Sequence, residues 1–109
     1  MQFVRVAHVS DFEHERFKSF RLMAKPVAVF KNGDGAFFAR EMRCKHQNWD
    51  LTTGRLKGDV ITCPRHHWQY NIQTGECLNQ SSSPLRAHAV EVREDGGVYV
   101  SLTPCSEDA

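Results

Sequence analysis

Two short pairs of metal-ligating residues stand out in the chain: Cys44-Lys45-His46 and Cys63-Pro64-Arg65-His66, with sixteen residues between His46 and Cys63. Thiolate sulfur and imidazole nitrogen are the donors that hold zinc or iron–sulfur centres, so two of each on two loops read as a metal site. The same donor set satisfies tetrahedral zinc. Zinc fingers, however, place two cysteines together and two histidines together. Here each loop offers one of each, which suits two irons, one held by sulfur and one by nitrogen. A structural zinc-binding module stays as the alternative.

The residues around the pairs carry more. Gly58-Asp59 leads into Val60-Ile61-Thr62 before Cys63, and Trp68-Gln69-Tyr70 and then Thr74-Gly75 follow the second pair. Farther on, Pro84-Leu85 opens an alternating run, and Gly96-Gly97-Val98-Tyr99-Val100 closes the domain. With the Cys-x-His and Cys-x-x-His spacing, the chain resembles over nearly its whole length a small soluble Rieske-type ferredoxin, in which His₂ replaces Cys₂ on one iron of a [2Fe–2S] cluster. The resemblance implies that Cys44 and Cys63 bind one iron and that His46 and His66 bind the other. It also implies an all-β fold, a Rieske-type β-sandwich base with an inserted small cluster-binding subdomain at approximately residues 43–83. Residues 1–109 would then form a single domain, with the two ligand loops meeting at the tip of the insertion.

Two ferric ions, two sulfides and two thiolates sum to zero charge, whereas four thiolates leave the oxidised cluster doubly negative. Rieske centres accordingly sit at roughly −150 to +300 mV against about −400 mV for plant-type ferredoxins. High-potential members of the family join the two loops by a disulfide, at the positions that Trp49 and Arg65 occupy here, so that bridge is impossible. They also place a serine two residues after the second histidine and a tyrosine two further on; this chain has Trp68 and Tyr70. The expectation is a low to intermediate potential, raised by Tyr70 if its hydroxyl reaches the Cys44 sulfur. His67 stands where the family has glycine, at a turn that favours φ > 0. It reads as a proton acceptor or docking contact, or as a competitor of His66 for iron. Ring protons of His46 and His66 imply a midpoint that falls at alkaline pH. A proline-containing loop covers the cluster in the family, which casts Pro84 as its shield.

Length and composition bound the rest. At 109 residues, 40% hydrophobic and 25% charged, the chain fits one globular domain with a core. A net charge of +1, from 14 basic and 13 acidic residues, gives no electrostatic case for nucleic acid or anionic lipid as the main partner. No apolar run approaches the roughly 20 residues that span a bilayer, and Met1-Gln2-Phe3-Val4-Arg5 lacks a signal-peptide pattern. The expected protein is a cytoplasmic monomer without membrane association. Cys77 and Cys105 read as free thiols, since a disulfide between them is disfavoured in a reducing compartment.

The elements that must position the ligands read mainly as β. Phe3-Val4-Arg5-Val6, Val27-Ala28-Val29-Phe30 and Ala89-Val90-Glu91-Val92 are strand-like. Asn32-Gly33-Asp34-Gly35 and Asp95-Gly96-Gly97 mark hairpins, the first into Ala36-Phe37-Phe38-Ala39 and the second into Val98-Tyr99-Val100. The segment from Glu13 to Phe20 reads either as a helical stripe or as irregular β, with Phe12, Phe17 and Phe20 in the core. Asn79 to Pro84 is a polar loop. His8, His14 and His88 have no metal partner at recognisable spacing and read as surface or locally hydrogen-bonded. Trp49 and Trp68 read as packing around the cluster, with partner contact as the other role, and Lys45 and Arg65 as docking cations.

The function this implies is one-electron carriage from a flavin-containing reductase to a terminal oxidoreductase such as a Rieske non-haem iron oxygenase. The chain has no mononuclear iron facial triad and no phosphate-cradling Gly-rich loop, so it is expected to do no substrate chemistry of its own. Two other readings stay open: a redox-sensing interaction module, and a small subunit of a nitrite-reductase-like enzyme.

Overall fold

A computed structural model of the chain describes residues 2–44, 49–65 and 67–104. They form ten strands and two 3₁₀ turns, Val9–Phe12 and Leu51–Thr53. The strands are β1 (Phe3–His8), β2 (Phe17–Leu22), β3 (Lys25–Lys31), β4 (Phe37–Glu41), β5 (Arg55–Lys57), β6 (Val60–Thr62), β7 (Gln69–Asn71), β8 (Ala87–His88), β9 (Val90–Val92) and β10 (Gly97–Ser101). Three sheets result, ordered β1-β10-β9, β2-β3-β4-β8 and β5-β6-β7, and all their pairings are antiparallel.

The central strand β3 explains how the sheets stack. Side chains alternate across a strand, and β3 is buried from Pro26 to Phe30, so it serves two cores at once. Val27 and Val29 face the core shared with Val98 and Val100 of β10, while Ala28 and Phe30 face the core shared with Cys44, Ile61, Cys63, Tyr70 and Leu85. The β-sandwich is therefore the pair of sheets sharing the first core, and the β5-β6-β7 sheet lies against the second. Its strands fall in sequence between β4 and β8, two neighbours in one sheet.

Sandwich closure falls to the chain between His88 and Val90, which leaves one sheet and enters the other. Ala89 and Ser101 hold that crossing: the Ala89 amide donates to Ser101 Oγ at 3.0 Å, and the Ser101 amide donates to the Ala89 carbonyl at 3.0 Å. His88, expected at the surface or in a local hydrogen bond, is instead buried, and its Nδ1–H donates to the carbonyl of the distant Ser101 at 2.9 Å. The chain turns His88 inward where it passes from one sheet to the other, which no spacing signal announced. His14 is exposed, and His8 caps the first 3₁₀ turn, its Nδ1 accepting from the Ser10 amide at 3.1 Å.

The ambiguous segment resolves as β2, preceded by the 3₁₀ turn that ends at Phe12. Phe17 lies opposite Phe30 and Phe20 opposite Val27, so pairing with β3 decides its conformation. All three phenylalanines contribute to the cores, as their spacing suggested. Both expected hairpins form, β3 to β4 and β9 to β10.

Two arginines fasten the sandwich to the β5-β6-β7 sheet. Arg16 donates to the Gly58 carbonyl and pairs with Asp59 at 2.6 Å, in the hairpin turn between β5 and β6. Gly58 has φ +59°, the left-handed conformation that a two-residue hairpin needs at this place. Arg40 on β4 donates to the carbonyls of Ile72 (3.0 Å), Gln73 (2.7 Å) and Leu85 (3.0 Å). No helix among the described residues is long and apolar enough to cross a membrane.

Candidate metal centre

Both cysteines of the two pairs sit at the roots of loops closed in the same way. The Cys44 amide donates to the Trp49 carbonyl at 2.8 Å, and the Cys63 amide donates to the Trp68 carbonyl at 2.8 Å. Each loop thus leaves its cysteine and rejoins the scaffold at a tryptophan five residues on. Below the first loop, the Leu51 amide donates to the Met42 carbonyl at 2.8 Å, and Asp50 caps the following 3₁₀ turn through the Thr52 amide at 2.9 Å. Below the second, β6 and β7 pair as Ile61 with Tyr70 and Thr62 with Gln69.

The second loop reverses sharply. His67 has φ +63°, and its amide donates back to the Cys63 carbonyl at 3.0 Å. The left-handed geometry read from the missing glycine is therefore present, with histidine, one of the residue types that tolerates it, in the glycine's place. The His67 side chain is exposed. Asn79 steadies the loop from outside, its Nδ2 donating to the His67 carbonyl at 3.0 Å and its Oδ1 accepting from the Gln69 amide at 3.0 Å. Sequence reading placed Asn79 only in a polar loop; an amide that reaches ten residues back leaves no mark in composition.

Cys44 and Cys63 are each 1% exposed and belong to one apolar core with Tyr70, Ile72, Met42 and Leu51. Tyr70 is fully buried on β7, and its hydroxyl lies 3.7 Å from Cys44 Sγ, within reach of an O–H···S hydrogen bond. A third buried cysteine, Cys77, joins the same core, and its thiol donates to Asn79 Oδ1 at 3.9 Å. The buried Glu41 precedes the first loop, with Lys25 Nζ at 3.7 Å and Arg43 Nη2 at 3.6 Å from its Oε2.

The two tryptophans part company. Trp68 packs against the core of the cysteines. Trp49 is 38% exposed, and the Arg65 guanidinium lies over its ring, 5.1 Å from the centroid. Pro84 is exposed, and the apolar side chain that enters the core from that segment is Leu85. Its amide donates to the Gly75 carbonyl at 2.8 Å, which turns Leu85 inward and leaves Pro84 outside. Lys45, His46, His66 and Cys105 lie outside the described residues.

The donor chemistry fits an iron–sulfur centre. Two soft sulfur donors are taken out of water at the roots of matched loops, and a buried phenol is directed at one of them. The sequence of each loop also carries a histidine, His46 in the first and His66 in the second. Buried thiols with such a partner suit thiolate ligation, since a hydrogen bond to the charged sulfur offsets its desolvation.

Comparison with known proteins points the same way. The Rieske [2Fe-2S] domain family matches residues 2–104. Ferredoxin CarAc of Metapseudomonas resinovorans is 43% identical over 82 residues, covering 74% of this chain and 75% of the relative. The ferredoxin component of the alkene monooxygenase system of Xanthobacter autotrophicus is 28% identical over 109 residues, 99% of this chain and 88% of the relative. Among solved structures, a chain of the complex of reduced oxygenase and oxidised ferredoxin in carbazole 1,9a-dioxygenase superposes with a TM-score of 0.80 at 36% identity, covering 96% of this chain and 97% of that one.

Proposed function

The chain belongs to the Rieske [2Fe–2S] domain family and carries one Rieske-type cluster, and from that premise we propose that Cys44, His46, Cys63 and His66 bind the cluster in a one-electron carrier. In this reading the carrier accepts electrons from a flavin-containing reductase and hands them to a terminal oxygenase. It is a cytoplasmic monomer that does no substrate chemistry itself. Residues 43–83 form its cluster-binding subdomain. Cys44 and Cys63 hold one iron, and His46 and His66 hold the other.

The bound cluster supplies reversible one-electron chemistry. The remaining work belongs to the protein. Burial of Cys44 and Cys63 excludes water from the sulfur side. Tyr70 donates its hydroxyl hydrogen toward the Cys44 sulfur, an interaction that strengthens as negative charge accumulates there. Trp68 packs against the core beside the second loop, and Arg65 offers positive charge at the exposed tip. The second loop leaves Pro64, Arg65 and His67 exposed, where a partner can approach.

The observation that carries the reading is the likeness, over nearly the full length of both chains, to a chain of a solved oxygenase–ferredoxin complex. The zinc alternative has no comparable support. The test is a reconstituted chain of reactions: anaerobic holoprotein, a flavin reductase with NADH, and an oxidised Rieske oxygenase followed by stopped-flow absorbance. Repeated reduction and reoxidation on mixing supports the carrier. A protein that binds its partner according to cluster state and never passes an electron would instead be a sensor.

A further inference from the structure

The two loops are joined at their roots by the buried core and the Tyr70–Cys44 contact, and a second contact joins them farther out. Trp49 closes the first loop, and Arg65 lies in the second, immediately before His66. Their contact crosses the gap between the loops, with the guanidinium 5.1 Å from the ring centroid, inside the roughly 6 Å range of a cation–π interaction. Among the described residues, neither side chain makes a hydrogen bond or ion pair besides this contact. Trp49 is more than a third exposed, unlike Trp68, and Arg65 is exposed and forms no ion pair among the described residues.

We infer that Arg65 and Trp49 act as a noncovalent clasp, positioning residues that hold the two loops closed over the histidine-bearing side of the cluster. The inference rests on the ligand assignment proposed above. Position supports it: in sequence Trp49 follows His46 by three residues and Arg65 directly precedes His66, so each member of the pair lies in the same loop as one histidine and close to it in the chain. The Tyr70 contact, by contrast, guards the sulfur side. Chemistry supports it too, because neither partner is a thiol and the link therefore survives reducing conditions that open disulfides. Guanidinium stacking on indole tolerates partial exposure, where a lone charge pair would be weakened by solvent and salt.

The experiment is a double-mutant cycle on the holoprotein. Wild type, W49A, R65A and W49A/R65A are loaded anaerobically, and the first-order loss of visible absorbance is followed in excess iron chelator. An exposed cation–π contact is worth a factor of about two to five in the loop-opening equilibrium, so each single variant should lose its cluster about two- to five-fold faster. The double variant should be no faster than the worse single one, W49F and R65K should retain most of the wild-type lifetime, and the reduced EPR signal should broaden in the alanine variants. If an alanine variant fails to hold a cluster, W49L against W49F decides, since leucine keeps apolar bulk without a π face. Unchanged rates, or single effects that multiply in the double variant, overturn the clasp while leaving a wild-type protein with two irons and two sulfides as a Rieske carrier. A wild-type protein without iron and sulfide overturns the ligand assignment and the clasp with it.

Discussion

The Tyr70 hydroxyl lies 3.7 Å from Cys44 Sγ in a fully buried setting. Removing it takes away a donor to a ligand sulfur without opening a large cavity. A difference of about 1 kcal/mol between the two redox states corresponds to about 40 mV for one electron. Tyr70→Phe should therefore lower the midpoint by a few tens of millivolts with little change in cluster content. Protein-film voltammetry reads the shift, and an unchanged midpoint would remove the hydrogen bond from the account.

His67 at φ +63° predicts an uneven response to substitution. Glycine relieves the left-handed conformation but frees the unfolded chain, so His67→Gly should be close to neutral. A β-branched residue there should cost about 1–2 kcal/mol. Chemical denaturation of His67→Gly and His67→Val gives the comparison. Equal stability would mean that the turn is not held in this geometry.

Arg40 satisfies three carbonyls in the second core's border. Lysine keeps the charge but cannot spread donors over three acceptors. Arg40→Lys should cost about 2–4 kcal/mol, given that hydrogen bonds to charged groups contribute about 1.5–3 kcal/mol each and partial replacement is available. The midpoint of a urea curve, at constant slope, measures it.

The Arg16 guanidinium beside Asp59 holds its carboxyl below the usual carboxylate range, and Gln73 adds a second hydrogen bond. A depressed folded-state pKa means that the stabilisation is present above the unfolded pKa and is lost as pH falls through the folded one. The Arg16–Asp59 anchor should thus weaken only at strongly acidic pH. Asp59→Asn should reduce stability at neutral pH and flatten the acid limb of the stability curve. Thermal melts of both proteins from neutral to acidic pH would test this, and parallel curves would contradict it.

Much of this architecture is legible in the residues. The Cys-x-His and Cys-x-x-His spacing is the local signal for the family, and the two Gly-rich hairpins and the alternating apolar strands appear where their periods place them. Legibility fails where a side chain's role is set by distant chain. His88 looks like any isolated histidine until β8 and β9 are seen crossing between sheets. Asn79 looks like loop filler until its amide meets the second ligand loop. Trp49 and Trp68 stand at equivalent places in sequence, yet Trp68, which leads into β7, packs against the core, while Trp49, which leads into a 3₁₀ turn, is 38% exposed under Arg65. Leu85 turns inward for a similar reason, since its amide is held by the distant Gly75 carbonyl.

The central claim is that one cluster, held by two thiolates and two imidazoles, carries a single electron. Reductive titration of the anaerobic holoprotein, followed by low-temperature EPR with electron–nuclear double resonance, tests it most directly. The account predicts uptake of one electron per chain, a Rieske-type signal, and nitrogen couplings from two imidazoles that are altered when His46 or His66 is replaced. A reduced centre without nitrogen coupling, or couplings untouched by both replacements, would contradict it.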